Sequence, residues 1–328
     1  METALNEITL VLFTTIAPAG VIGYLVMALA VVSARDERRA CALSRHLVVP
    51  LVLAISGLIA SATHLGTPAN ALYVLTGVGR SPLSNEVVAA VAFLALGGVY
   101  WILSFRDDLR RGFRIVWLAA TAIAGFAFVG FIAVAYSVPS VPTWNLPTTP
   151  LALWLNALSS GPLVGLFGML LARQEPGRRM ATALLALAAC AVAANAAVLA
   201  AQWRDLAGIA TTVARAVDLA PAMPLAICAY VACGAAGVAL AGAGTRFRRA
   251  GAQAGERGDG ASEADGECGM RAGRLQDGKA SESSDPFAAV QRARITRLAF
   301  AATGAAAALA GCFAVRFAFY ALHMTLGV

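Results

Sequence analysis

SATHLGTPANALYVLTGVGRSPLSNE, residues 61–86, separates two long apolar blocks. Gly66, Pro68, Gly77, Gly79 and Pro82 forbid one continuous helix through it. Glycine loses backbone entropy in a helix, and proline removes an N–H and clashes with the preceding turn. The stretch holds His64, one of only three histidines, and Glu86, a carboxylate placed where the next apolar block begins. A chain that leaves one apolar block through a broken polar connection and enters another is crossing a bilayer more than once.

The composition agrees. The 328 residues are 59% hydrophobic and only 13% charged, whereas a soluble domain carries about a quarter charged residues. The mean hydropathy is +0.73. The net charge of +7 is concentrated in certain loops, which indicates membrane topology rather than nucleic-acid binding. Six cysteines are scattered without any C-x-x-C spacing, so neither a zinc site nor an iron–sulfur cluster is expected in this chain. The first apolar block follows METALNEITL, which has no basic start, and is expected to be a retained span rather than a cleaved signal.

Eight blocks are long enough to cross roughly 30 Å of hydrocarbon as helices. They lie near 7–33, 46–65, 85–105, 113–137, 149–172, 179–202, 219–244 and 294–323. The expected fold is therefore all-α and polytopic. Spans one to seven form a membrane domain over 1–244, and the segment 293–328 returns an eighth helix to it. Loops one, three and five with their flanks carry eleven arginines, against three in loops two, four and six. By the positive-inside rule the odd loops are cytoplasmic and both termini face outside. Residues 61–86, as loop two, then lie on the outer face of the cytoplasmic membrane.

Two other connections differ in kind. Residues 245–292 are rich in Gly, Ala, Ser, Glu and Arg and are expected to form a disordered cytoplasmic loop. Loop four, SVPSVPTWNLPTTP, is stiffened by four prolines and presents Trp144 as an interfacial ring. Loop six, about 203–218, reads as a short interfacial helix.

Ionisable groups at span ends are candidates for function, because hydrocarbon penalises them. On the expected outer side these are His64, Glu86, Tyr136, Arg316 and His323. Each also has a structural reading. His64 could end a helix among headgroups. Glu86 could be an N-terminal charge favoured by the helix dipole, with Ser84 and Asn85 as caps. Arg316 could snorkel outward, and His323 could be a solvated terminal residue. Asn156 and Asn195 within spans five and six are expected to bond helix to helix.

A histidine and a carboxylate together at the membrane edge suit quinol oxidation, which releases protons as electrons leave. The polar headgroup would sit at the interface while its isoprenoid tail stays among the helices. A bis-histidine haem needs two ligands at one depth. His46 lies at the cytoplasmic end, and His323 is close to the C-terminus, so no haem is expected. A proton-coupled transporter is an alternative, and would act without partner subunits. A purely structural anchor is another, and would not need His64 or Glu86.

At His64-Leu65-Gly66-Thr67-Pro68, Leu83-Ser84-Asn85-Glu86 and Val141-Pro142-Thr143-Trp144 the sequence resembles the membrane anchor subunits of dimethyl sulfoxide reductases, the DmsC type. The likeness covers about residues 7–170 well and continues mainly in hydropathy. It implies a menaquinol-oxidising anchor without haem. Such an anchor holds an iron–sulfur electron-transfer subunit and a molybdopterin catalytic subunit at the membrane for anaerobic respiration. The residues matching His64 and Glu86 are those implicated in quinol binding. Gly66, Pro68, Ser84, Asn85, Tyr136, Trp144 and Arg316 complete the expected site. The family carries an arginine beside the tyrosine that ends span four. Here that segment is Ala133-Val134-Ala135-Tyr136, and Arg316 is the residue that could substitute.

Overall fold

The computed structural model describes residues 2–63, 73–74, 76–106, 109–210, 215–259 and 286–324. Among the described residues eleven α-helices follow one another: α1 (Glu2–Asn6), α2 (Ile8–Ser33), α3 (Glu37–His46), α4 (Val48–Thr63), α5 (Pro82–Leu103), α6 (Arg111–Ala135), α7 (Thr148–Leu171), α8 (Arg178–Leu206), α9 (Ala216–Leu219), α10 (Met223–Asp259) and α11 (Pro286–Ala321). Among the described residues the only β feature is an isolated bridge between Ala210 and Arg215. Eight segments are long and apolar enough to cross a membrane, and each coincides with an expected span. The protein is an all-α, multi-pass membrane protein.

The helix ends follow local chemistry. Asp36 caps α3, its carboxylate accepting the N–H groups of Arg38 and Arg39 at 3.3 Å each. Span two therefore starts earlier than the expected residue 46. The break between α3 and α4 falls at Leu47, because Pro50 has no N–H to offer the His46 carbonyl. Helix α10 continues to Asp259, and α11 begins at Pro286, so both ends of the expected 245–292 loop are helical. Alanine, arginine, glutamine and glutamate propagate a helix once a span has nucleated it. Residues 260–285 lie outside the described residues. In loop six, among the described residues, α8 runs on to Leu206 and the four residues of α9 form a separate turn.

Helices α2 and α7 form the centre of the bundle. Along their most apolar stretches they are 78% buried, against 22–39% for the other six spans. They approach closely because α7 presents Gly161 to α2, where a Cβ would fall 2.5 Å from the Cβ of Ile22. Small residues at such crossings are how membrane helices gain packing contacts. A similar crossing joins α10 to α11, where Gly237 and Gly304 meet backbone to backbone. Asn195 on α8 donates to Asn156 Oδ1 on α7 at 2.9 Å, the interhelical bond expected of that pair.

At the arginine-rich end Arg114 and Arg297 are ion-paired. Arg114 opens α6 and reaches both carboxylate oxygens of Glu37 on α3 at 2.6 and 2.7 Å. Arg297 on α11 bonds Glu175 Oε1 at 2.6 Å. Arg39 on α3 donates to the Glu175 carbonyl at 2.7 Å. These contacts tie α3, α6, α11 and the α7–α8 turn together.

Candidate functional site

The opposite end begins with the turn that leads into α5. Gly79 adopts φ +82°, a left-handed conformation that glycine takes without steric cost. Its N–H is accepted by Asn85 Oδ1 at 2.7 Å. Ser84 is buried and its hydroxyl lies against Gly77 so closely that a Cβ there would clash. Ser84 and Asn85 therefore fix the turn. They do not cap α5, which starts at Pro82 after Ser81. This corrects the sequence-based expectation that they would be its N-caps. Proline at the first helical position sets the start, since its missing N–H is not needed there.

This start changes the meaning of Glu86. It is the fifth residue of α5, beyond the first turn, where the helix dipole and free N–H groups have most effect. Glu86 is only 2% exposed, and the described residues offer it neither a salt bridge nor a hydrogen bond. Among the described residues this buried acid has no partner, and burying one so is costly, so helix capping does not account for this position.

Arg316 lies beside Tyr136. It is 2% exposed and does not snorkel outward. Its Nε donates to Thr14 Oγ1 on α2 at 3.0 Å. Its guanidinium carbon lies 4.3 Å from the ring centre of Phe319, 5.3 Å from that of Tyr320 and 5.5 Å from that of Tyr136. These are cation–π distances. Its Nη2 is buried and has no hydrogen-bond partner. The guanidinium thus stands beside the tyrosine that ends span four, although its own position lies 180 residues further along the chain.

Loop four closes the cluster from above. It is non-helical, as its prolines dictate. Thr143 donates to the Leu322 carbonyl, and Trp144 Nε1 donates to the Phe319 carbonyl at 3.1 Å. The indole stacks on Phe319 with ring centres 5.1 Å apart. Trp144 is therefore docked on the end of α11, rather than standing as a free interfacial ring. His323 follows the end of α11, is exposed, and lies 4.8 Å from the Trp144 ring. It does not share the burial of Arg316.

The structure brings Glu86, Tyr136, Arg316 and Trp144 to one end of the bundle. His64, Gly66 and Pro68 lie outside the described residues. Two further contributors were not anticipated. Thr14 supplies the hydrogen bond to Arg316, and its signal was the Thr14-Thr15 pair inside an otherwise apolar span. Tyr320 lies one turn after Arg316, packs edge-to-face on Tyr136 at 5.6 Å and donates to the Leu10 carbonyl at 3.3 Å. Among the described residues no three of His, Cys, Asp and Glu gather to hold a metal ion.

Known proteins are similar to this chain over most of its length. The family described as DMSO reductase anchor subunit (DmsC) matches residues 1–241. The sequence is 34% identical over 225 residues to the C subunit of the anaerobic dimethyl sulfoxide reductase of Escherichia coli strain K12, a match spanning 67% of this protein and 77% of that one. It is 32% identical over 161 residues to the corresponding C subunit of Haemophilus influenzae, spanning 49% and 58%. The anaerobic dimethyl sulfoxide reductase subunit YnfH of Escherichia coli is 31% identical over 218 residues, spanning 66% and 75%.

Proposed function

The chain belongs to the DMSO reductase anchor subunit (DmsC) family, and from that premise we propose that it oxidises menaquinol at the end of the bundle that holds Glu86, Tyr136 and Arg316. It is the membrane anchor of a dimethyl sulfoxide reductase-type complex in anaerobic respiration, a multi-pass protein of the cell membrane. Its partners are an iron–sulfur subunit, which takes the electrons, and a molybdopterin catalytic subunit. Both dock on the outer face in this reading, where the arginine count puts loop two.

One observation carries the proposal. A buried guanidinium with an unpartnered Nη2 lies 5.5 Å from the Tyr136 ring centre, and a buried carboxylate with no ion pair to a described residue lies at the same end of the bundle. Uncompensated buried charges persist where a ligand uses them. A quinol headgroup offers two hydroxyl groups at opposite ends of a flat ring, each able to meet a polar partner. The tail can lie along the apolar flanks of the same helices.

The roles follow from the chemistry. Glu86 accepts the proton of one hydroxyl, directly or through water. His64 hydrogen-bonds the other hydroxyl and takes its proton. Arg316 stabilises negative charge on the oxygen that is losing its proton. Tyr136 and Trp144 form the wall against which the ring is held. Ser84 and Asn85 hold the turn that presents Glu86. Quinol becomes quinone, two electrons pass to the iron–sulfur subunit, and two protons leave on the outer side. Electrons and protons then exit together, and the step moves no net charge across the membrane.

The test is a quinol-analogue titration in membranes carrying the assembled complex, with His64→Ala and Glu86→Gln. Weakened binding and lost quinol-dependent turnover are expected in both. Unchanged binding together with unchanged turnover in both variants would end the proposal and leave a purely structural anchor.

A further inference from the structure

The arginine-rich end contains a cavity of about 720 Å³ between α3, the α7–α8 turn, α10 and α11. Four arginines line it: Arg39, Arg178, Arg246 and Arg297. Glu175 is the only acid among its lining residues. Arg297 binds the Glu175 carboxylate and the Gly244 carbonyl, at 2.6 and 3.1 Å. These bonds close the floor and leave an excess of positive charge above it. Arg39 Nε is buried there without a hydrogen-bond partner. Arg178 and Arg246 are exposed at the mouth and make no ion pair with a described residue.

The rest of the lining is apolar. Leu170 and Leu185 contribute side chains, and Ala181 and Ala186 continue the wall along α8. Arg178 is the first residue of α8 and Arg297 lies early in the last span. The cavity is therefore at the depth where hydrocarbon gives way to water, cationic on one side and greasy on the other. Guanidinium groups match phosphate oxygens in fork geometry. No aromatic ring lines the cavity to stack on a nucleobase. Basic pockets between spans at such a boundary suit the headgroups of anionic lipids.

We propose that this cavity is a binding site for an anionic phospholipid, its phosphodiester held by Arg39, Arg178 and Arg246 and its acyl chains lying against Leu170 and Leu185. Topology alone would also enrich arginine at this end. It does not account for four arginines converging on one cavity with a buried Nε left unpaired. The lipid would bridge α3, α8, α10 and α11.

Native mass spectrometry of the detergent-purified complex tests this, with lipids added back after delipidation. One phosphatidylglycerol or cardiolipin per anchor subunit is expected to remain bound at concentrations where phosphatidylcholine of the same acyl chains does not. The double variant R178Q/R246Q changes only mouth residues, and should weaken anionic-lipid binding by about tenfold or more. Its quinol-dependent turnover in native membranes should be that of wild type. Equal retention of phosphatidylcholine would overturn the proposal, as would undiminished retention by the double variant. Displacement of the lipid by millimolar inorganic phosphate would assign the cavity to a free anion instead. If the double variant fails to assemble, the wild-type comparison of headgroups decides alone.

Discussion

At the arginine-rich end, Arg114 is 4% exposed and meets both oxygens of Glu37, and Arg297 meets Glu175. At the opposite end, Glu86 and Arg316 are each 2% exposed, and neither forms an ion pair with a described residue. The cost of burying charge is the same physical quantity at both ends. Pairing offsets it at one and not at the other. Paired charges fasten helices and need nothing further. Unpaired ones stay only where a substrate or a proton completes them, so the contrast separates scaffold from site.

The sharpest way to break that contrast is Glu86→Gln, which keeps the shape and removes the titrating group. Quinol-dependent turnover should fall by about 100-fold or more, the range expected when a proton acceptor is lost. Assembly of the complex and its thermal midpoint should be close to wild type. Steady-state turnover with a soluble quinol and a thermal melt of the same preparation would measure both. A drop in stability with full activity per assembled complex would make Glu86 a scaffold residue after all.

Arg316→Met is the second test, replacing the cation with an apolar chain of similar length. Turnover should fall about tenfold or more as charge stabilisation is lost. Stability should move little, within about 2 kcal/mol, because lost cation–π contacts are offset by the desolvation no longer required. The mirror experiment is Arg114→Met. Glu37 is 64% exposed and can hydrate once released. The melt should therefore drop by only about 1 kcal/mol, with turnover unchanged. Equal loss of turnover in both variants would erase the distinction between the two ends.

Most of the fold was legible because a bilayer imposes one rule on every span. Eight apolar blocks of sufficient length became eight crossing helices. What the residues did not disclose was where helices continue into polar sequence, as α10 does to Asp259, since propagation past a span depends on propensity rather than hydropathy. Glu86 was visible as a charge at a span edge. Its distance from the helix start was not, because Ser84 and Asn85 are good caps in general and Pro82 sets the start instead. Arg316 was visible as an ionisable residue inside the last span and as the residue that could substitute for an arginine beside Tyr136, and packing of the last span against the end of the fourth puts it there. The family match ends at residue 241, before α11, so that pairing had to come from the three-dimensional arrangement.

The smallest expected effect belongs to Asn85, which separates turn geometry from ligand contact. Its side chain accepts the Gly79 N–H, a bond whose net worth is about 1 kcal/mol and less where water can replace it. Asn85→Ala should loosen the turn that presents Glu86 and weaken quinol-analogue binding only a few-fold. Asn85→Asp keeps an acceptor at the same place and should restore most of the loss. Gly79→Ala, which strains a residue at φ +82°, should reproduce the Asn85→Ala phenotype through the other half of the same contact. If Asn85→Ala instead matched Glu86→Gln in magnitude, and neither Asp nor the glycine variant behaved as stated, Asn85 would have to touch the substrate itself. The unpaired end of the bundle would then gain a third polar group, and the turn would cease to be scaffold.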